Sequence, residues 1–353
     1  MATTFAVPDG RVAMAATTYT GTGTISQAVS NAVNTVSFQP DLVWVKARSA
    51  SASNSLYDSI RGTKKFLASN TSDAEIDFSP YGVTTFGSSG FTVGDISSGF
   101  YYCNGSGITY VGWNWKAGGT AVSNTAGTIT SSVSANTTAG FSVVTYTGTG
   151  ANATVGHGLG VAPGMVIIKS RSVATNWIVY HSSVAATAHL VLNLTDAAYT
   201  DVAFNNTAPT SSVFSIGPTG YSVNNSAATY VAYCWAPVAG YSAFGSYTGN
   251  GSADGPFIYT GFRPRFVMIK SSTYTSNWDM LDSSRDPANV VSHQLFANLS
   301  GTEFTPYNFG DLNSNGFKIR DNSSGLQGNY NVSGETYIYA AFAENPLKYA
   351  NAR

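Results

Sequence analysis

Charge is scarce in this sequence. Of 353 residues only 17 are Lys or Arg and 18 are Asp or Glu, 10% in all, for a net charge of −1. A phosphate-binding face needs clustered cations, and these are scattered, so no nucleic-acid partner is expected. Hydrophobic residues at 43% and aromatics at 13% exclude a disordered polar tail. Cysteine is nearly missing: Cys103 and Cys234 fall at non-equivalent places in the repeats described below and read as two free, partly buried thiols. No apolar run reaches the roughly 18 residues a membrane helix needs. The stretch "MATTFAVPDGRVAMAATT" lacks the charged and apolar regions of an export signal, so neither export nor membrane insertion is expected. Good helix formers dominate no window, so little helix is expected.

What is present is Ser, Thr, Asn, Gly and Ala between apolar runs, the composition of a densely turned β protein. One turn is written three times, as "YTGTG" at 19–23 and 146–150 and "YTGNG" at 247–251. Downstream landmarks follow each copy in one order. A Pro-led strand ends in lysine ("PDLVWVKARS", "PGMVIIKSRS", "PRFVMIKSS"), and an apolar run leads to Asn ("LASN", "LVLN", "LFAN"). A Gly-aromatic strand start follows ("SSGFTVG", "PTGYSVN", "SNGFKIR"), then a closing strand ("YVGWNW", "YVAYCW", "YIYAAF"). The units run 19–115, 146–235 and 247–342.

The closing strand has period two, placing Val111, Trp113 and Trp115 on a core face and leaving Tyr110, Gly112 and Asn114 on a less completely buried one. The expected fold is all-β: three tandem homologous antiparallel β-sandwich, jelly-roll-like domains. The boundaries are an N-terminal attachment segment 1–17, repeats at 18–119, 141–240 and 241–346, a linker or extended edge crossing at 120–140, and a C-terminal tail 347–353. The segment 1–17 is too apolar to be left in water, which favours it as the attachment point. Units two and three, separated by about ten residues, are expected to sit closer together. The turn glycines, Gly21 and Gly23 and their counterparts, are expected to supply positive φ.

Candidate chemistry is sparse. Asp58-x-x-Arg61 and Asp282-x-x-Arg285 recur in register and read as structural turn pairs, the carboxylate capping a turn and the guanidinium reaching back. Unit two has His181 and Val184 there instead. His157, in "VGHGLGVAP", reads as a loop hydrogen-bonding residue. No metal-ligand spacing, nucleophile elbow or cofactor motif occurs, so no metal or cofactor is expected and the protein is not expected to be an enzyme. Asp279, Asp282, Asp286 and Glu303 cluster along unit three and keep a glycosidase reading open. Trp177 and Trp278 are in register, with Tyr274 nearby. They fit either core-filling strand aromatics or a glycan-stacking platform, because a ring covers the C–H face of a sugar.

The residues "MATTFAVPDGRVAMAATTYTGTG", "PDLVWVKARS", "YDSIRG", "LASN", "GFTVG", "YVGWNWKAGG" and "YIYAAFAENPLKY" resemble repeated domains of tailed-bacteriophage virion structural proteins, of the tail-fibre-like or lectin-like kind. The second unit departs at His181 and Val184. The resemblance implies a virion-surface protein assembled in the host cytoplasm. Its partners would be other virion proteins, further copies of itself and a host surface glycan or receptor. A tail fibre or fibre-like appendage is the first expectation, with a capsid-decoration protein and a glycan-degrading tailspike as alternatives.

Overall fold

The computed structural model describes residues 5–94, 102–305, 308–320 and 330–344. Within them a 3-10 turn at Gly10–Val12 is the one helical element, and everything else regular is strand. The expected C-terminal tail lies outside the described residues.

Each sequence unit builds one large and one small antiparallel sheet. In unit 1 the large sheet runs β1 (Met14–Thr20), β9 (Thr109–Trp115), β3 (Leu42–Ala47), β4 (Ser55–Asp58), β5 (Lys65–Ala68), β6 (Ile76–Asp77). The small one runs β2 (Gln27–Ser30), β8 (Gly90–Gly94), β7 (Gly82–Gly87). Unit 2 has β10 (Val122–Asn124), β11 (Ser131–Asn136), β12 (Phe141–Thr147), β19 (Thr229–Trp235), β14 (Met165–Ser170), β15 (Ile178–His181), β16 (Ala188–Val191), β17 (Tyr199–Thr200), faced by β13 (Ala153–Gly156) with β18 (Val213–Ile216). Unit 3 has β20 (Ser242–Thr248), β27 (Thr336–Ala343), β22 (Pro264–Ser271), β23 (Asp279–Asp282), β24 (Leu295–Phe296), faced by β21 (Phe257–Tyr259), β26 (Gly316–Ile319), β25 (Gly310–Asn313). In every unit the closing strand (β9, β19, β27) slots between the first and the Lys-ended strand, and the strands that follow the Lys-ended one meander away from it.

Val43, Val45 and Tyr110 of the large sheet pack on Val29, Phe91 and Val93 of the small one, which makes unit 1 a sandwich. The opposite face of the same strands, Leu42, Trp44, Val111, Trp113 and Trp115, joins a single core shared with Tyr233 and Trp235 of unit 2 and Phe266 and Phe342 of unit 3. Trp115 lies 5.8 Å from Trp235 and 5.6 Å from Phe342, ring to ring, so the three closing aromatics meet at the centre. Both faces of the closing strand are therefore buried, and Tyr110, Gly112 and Asn114 are as enclosed as their neighbours. A two-layer sandwich accounts for one face only; the other is covered by the sister units.

The segment 120–140 is not a free linker: it carries β10 and β11, which extend the unit 2 sheet beyond β12. Much of the described N-terminal segment is likewise internal, with Val7, Ala13 and Met14 buried and β1 paired to β9, so intramolecular packing takes these apolar residues, though not Val12, out of water. In unit 2 the counterpart of β8 is Val213–Ile216, paired to β13 as β8 is to β2; the "GYSVN" stretch follows it as loop. The alternation of Phe214, Ser215 and Ile216, not the Gly-aromatic pair, marks the strand.

The thrice-written turn has one construction. Its Tyr stacks on the first Tyr of the closing strand, Tyr19 on Tyr110, Tyr146 on Tyr230 and Tyr247 on Tyr337, at 5.0, 5.0 and 5.1 Å. An Asn clamps the turn by accepting two backbone N–H bonds: Asn104 holds Thr22 through Oδ1 and Gly23 through its carbonyl, as Asn224 and Asn331 do in their units. Gly23, Gly150 and Gly251 have φ of +68°, +80° and +68°. Gly21, Gly148 and Gly249 are glycine for another reason: a Cβ there would stand 2.2 to 2.4 Å from a backbone carbonyl oxygen.

Candidate functional site

Equivalent strands meet at three seams, and each seam uses the same positions. The residue opening the strand after the Lys-ended one reaches a carbonyl next door: Trp177 Nε1 donates to Ala68 O at 2.8 Å, Trp278 Nε1 to Val191 O at 2.9 Å, and Asn54 Nδ2 to Phe296 O at 3.1 Å. Unit 2 thus grips unit 1, unit 3 grips unit 2 and unit 1 grips unit 3, which closes a ring. The repeated lysines do the same, Lys169 to Ser72 O, Lys270 to Thr195 O and Lys46 to Ser300 O. Burial pulls Lys46 and Lys270 down to about 7 and Lys169 to about 8.

The Asp–Arg pairs are the polar centres of two seams. Asp58 caps its turn by accepting the Arg61 N–H at 2.8 Å and pairs with Arg61 Nε. Tyr233 of unit 2 donates to the same carboxylate at 2.8 Å, and Arg61 passes to Glu75, which in turn holds Arg171 of unit 2 at 2.9 Å. At the seam of units 1 and 3, Asp282 pairs with Arg285 at 2.6 Å and accepts from Trp113 Nε1 at 3.0 Å. Arg285 reaches Glu303 at 3.1 Å, and Glu303 holds Arg48 at 2.8 Å. Burial would raise Glu75 and Glu303, but the flanking guanidinium groups outweigh it and hold both below the ordinary carboxylate range.

The third seam drops the whole network at once. His181 and Val184 replace Asp and Arg, Ala198 stands where the Glu was, and Ser272 where the neighbour's Arg was; the Ala198 N–H to Ser272 O bond persists at 2.9 Å. His181 Nδ1 accepts from Ser183 N at 3.1 Å, so Nε2 carries the proton it donates to Tyr339 O at 3.0 Å. A buried ion chain missing one member leaves an uncompensated charge, whereas replacing all members leaves none.

Of the residues singled out in the sequence, Trp177 and Trp278 are 0% and 1% exposed and cannot stack on an external sugar. Only Tyr274, 44% exposed, faces solvent. The unit 3 carboxylates are engaged: Asp282 and Glu303 in the seam, Asp286 with His293 at 2.7 Å, and Asp279 with Gln294 and Tyr330. His157 is a buried loop residue accepting from Leu159 N and bonded to Thr210 O. Cys103 and Cys234 are buried, and no disulfide joins them. Among the described residues no cluster of three metal-ligating side chains occurs.

Solvent-facing features differ between the units, and comparing them isolates what the scaffold does not need. Four residues beyond the repeated lysine, unit 3 has Tyr274 where units 1 and 2 have Ala50 and Val173. On the edge strand of the small sheet, Phe257 and Tyr259 are 46% and 69% exposed, where units 1 and 2 have Ala28 and Ser30, Thr154 and Gly156. The added β10–β11 hairpin walls an open groove of about 370 Å3 with Ser123, Thr130, Ser132, Thr145, Thr147 and Arg171 on its lining. Sequence reasoning passed over Phe257 and Tyr259, although the departure of "FIY" from "AVS" and "TVG" at matched positions carried the signal.

A protein family described as a domain of unknown function, DUF7483, matches residues 12–346. The chain belongs to the DUF7483 family. The match spans all three units. No curated protein matches. No solved structure matches either.

Proposed function

We propose that this DUF7483 chain is a non-enzymatic surface component of a tailed-bacteriophage particle, a tail fibre or fibre-like appendage that contacts the host envelope. The observation that carries the reading is the fate of the ionisable residues. Asp58, Arg61, Glu75, Asp282, Arg285 and Glu303 are consumed inside the seams, while the rim keeps hydroxyls, amides and, on unit 3, the open ring of Tyr274. Such a rim suits recognition of a hydroxylated surface such as glycan. The resemblance of the repeats to virion domains supports the same reading. A capsid-decoration role is the second reading. The closed ring of three favours it, since one chain could sit on a position of local threefold symmetry without a shaft.

Immunogold electron microscopy of intact particles tests the proposal. Label at the tail or its appendages is the expected result, followed by glycan-array binding that Tyr274→Ala weakens. Label spread over the head would replace the fibre reading by decoration, and unlabelled particles would overturn both.

A further inference from the structure

We infer that β21 of unit 3 is an acceptor edge for an extended segment of another polypeptide, added as one more strand. This goes beyond the proposed role, because it concerns how the protein is joined to a protein partner rather than what it recognises on a host.

Ile319 N donates to Pro256 O at 3.0 Å, and the register pairs Ile258 with Phe317. In an antiparallel ladder the bonded residues alternate, so Ile258 turns its N–H and C=O toward β26, and Phe257 and Tyr259 turn theirs outward. The outward rows of an edge strand are a template for pairing.

Unit 2 shows what such an edge takes. At the matched strand β13 the chain covers its own edge with residues 127–131. Ile129 N donates to Thr154 O at 3.0 Å, Thr154 N donates to Thr128 Oγ1 at 2.8 Å, and Ser131 Oγ donates to Gly156 O at 2.9 Å. Ile129 and Val155 form a parallel bridge, and the Ile129 side chain is buried in the unit 2 core. Thr154 and Gly156 are the counterparts of Phe257 and Tyr259. The occupant of such an edge in unit 2 is an extended Thr-aliphatic-Thr/Ser segment running parallel to it.

Among the described residues unit 3 has no such cover of its own. The chain entering it, 236–241, is short and turns directly into β20 through the Val238–Ser242 bridge. In place of the small residues found in the sister units, the bare edge carries two open rings, Phe257 and Tyr259, which would flank the incoming strand. Cross-strand contacts between aromatic and β-branched side chains favour a partner with Thr, Ile or Val beside them. Lys318 on the adjoining strand pairs with Asp254, just before β21, at 2.7 Å, and the pair adds no net charge, which fits an uncharged segment.

The probe is a fluorescent peptide of residues 125–133, TAGTITSSV, titrated against the full chain. Saturable binding is expected, weakened about tenfold or more when the isoleucine amide of the peptide is N-methylated, since that removes one backbone bond. Tyr259→Pro should weaken it equally: the lost N–H points outward, so the ladder to β26 is kept and the fold survives. The methylated peptide tests the point even if that variant misfolds. Absence of binding at millimolar peptide, or binding indifferent to both changes, overturns the inference. Concentration-dependent dimers abolished by Tyr259→Pro would overturn it as well, by assigning the edge to a second copy.

Discussion

At the residue scale the seams turn on completeness. Arg285 has no exposed side-chain surface and bonds Asp282, Glu303 and the Met280 carbonyl. Arg285→Ala leaves two carboxylates buried with one cation fewer, for which a loss of about 3–5 kcal/mol in unfolding free energy is expected by denaturant titration. Replacing Asp282, Arg285, Glu303 and Arg48 together by the His, Val, Ala and Ser found at the third seam should cost less than the single change. A quadruple variant less stable than Arg285→Ala would refute that account. His181 adds a pH dependence. Burial lowers it to about 4 from an ordinary value near 6.5. The unfolded chain then binds a proton that the folded one refuses between those values, so stability is full above about 6.5 and falls as pH drops toward 4. The slope of the melting temperature over pH 4–6.5 should flatten in His181→Gln, and an unchanged slope would assign it elsewhere.

At the scale of the element, the glycine turn separates two uses of glycine that the sequence writes identically. Gly249→Ala drives a Cβ to 2.2 Å from the Val332 carbonyl oxygen, whereas a Cβ at Gly301 meets nothing within 4 Å. A loss of about 2 kcal/mol or more is expected for the first and within about 0.5 kcal/mol for the second, read by thermal melts. Equal effects would mean that the turn yields. The same element shows why period-two reasoning stopped halfway. The alternation in "YVGWNW" correctly separates two faces, but Gly112 is small because a Cβ there would stand 3.1 Å from the Phe91 ring, not because it faces solvent. Trp177 and Trp278 carry a similar lesson: a tryptophan beside Asn reads alike whether its indole meets a sugar or a neighbour's carbonyl.

At the scale of the whole molecule, the three units are one folding entity. Tyr233 and Trp235 contribute to the shared core, so unit 2 cut out as 141–240 would expose them and lose the Asp58 and Ala68 contacts. The excised unit is expected to be soluble only as aggregate or unfolded chain, and the full chain to unfold in one calorimetric transition. Three resolved transitions, or a folded monomeric unit 2, would contradict this. The expected closeness of units two and three also dissolves at this scale, because a ring gives every pair a seam whatever the connector length.

The all-β class, most of the strands and the turn pairs were legible in the chain because they depend on local spacing, period two or Asp and Arg three apart, whereas the unit 2 strand at Val213–Ile216 was not. The closed ring was not, since it requires Trp113 to meet Asp282 and Tyr233 to meet Asp58 across 169 and 175 residues, and no local pattern encodes which unit faces which. The paired loss of Asp, Arg and Glu in one unit with Arg in the next left a trace that only proximity makes intelligible. Burial of both faces of the closing strands, the cover over β13 and the bare edge of β21 were likewise decided by tertiary packing. Solvent exclusion is a property of what lies opposite a side chain, and the sequence by itself specifies only which side chains need excluding.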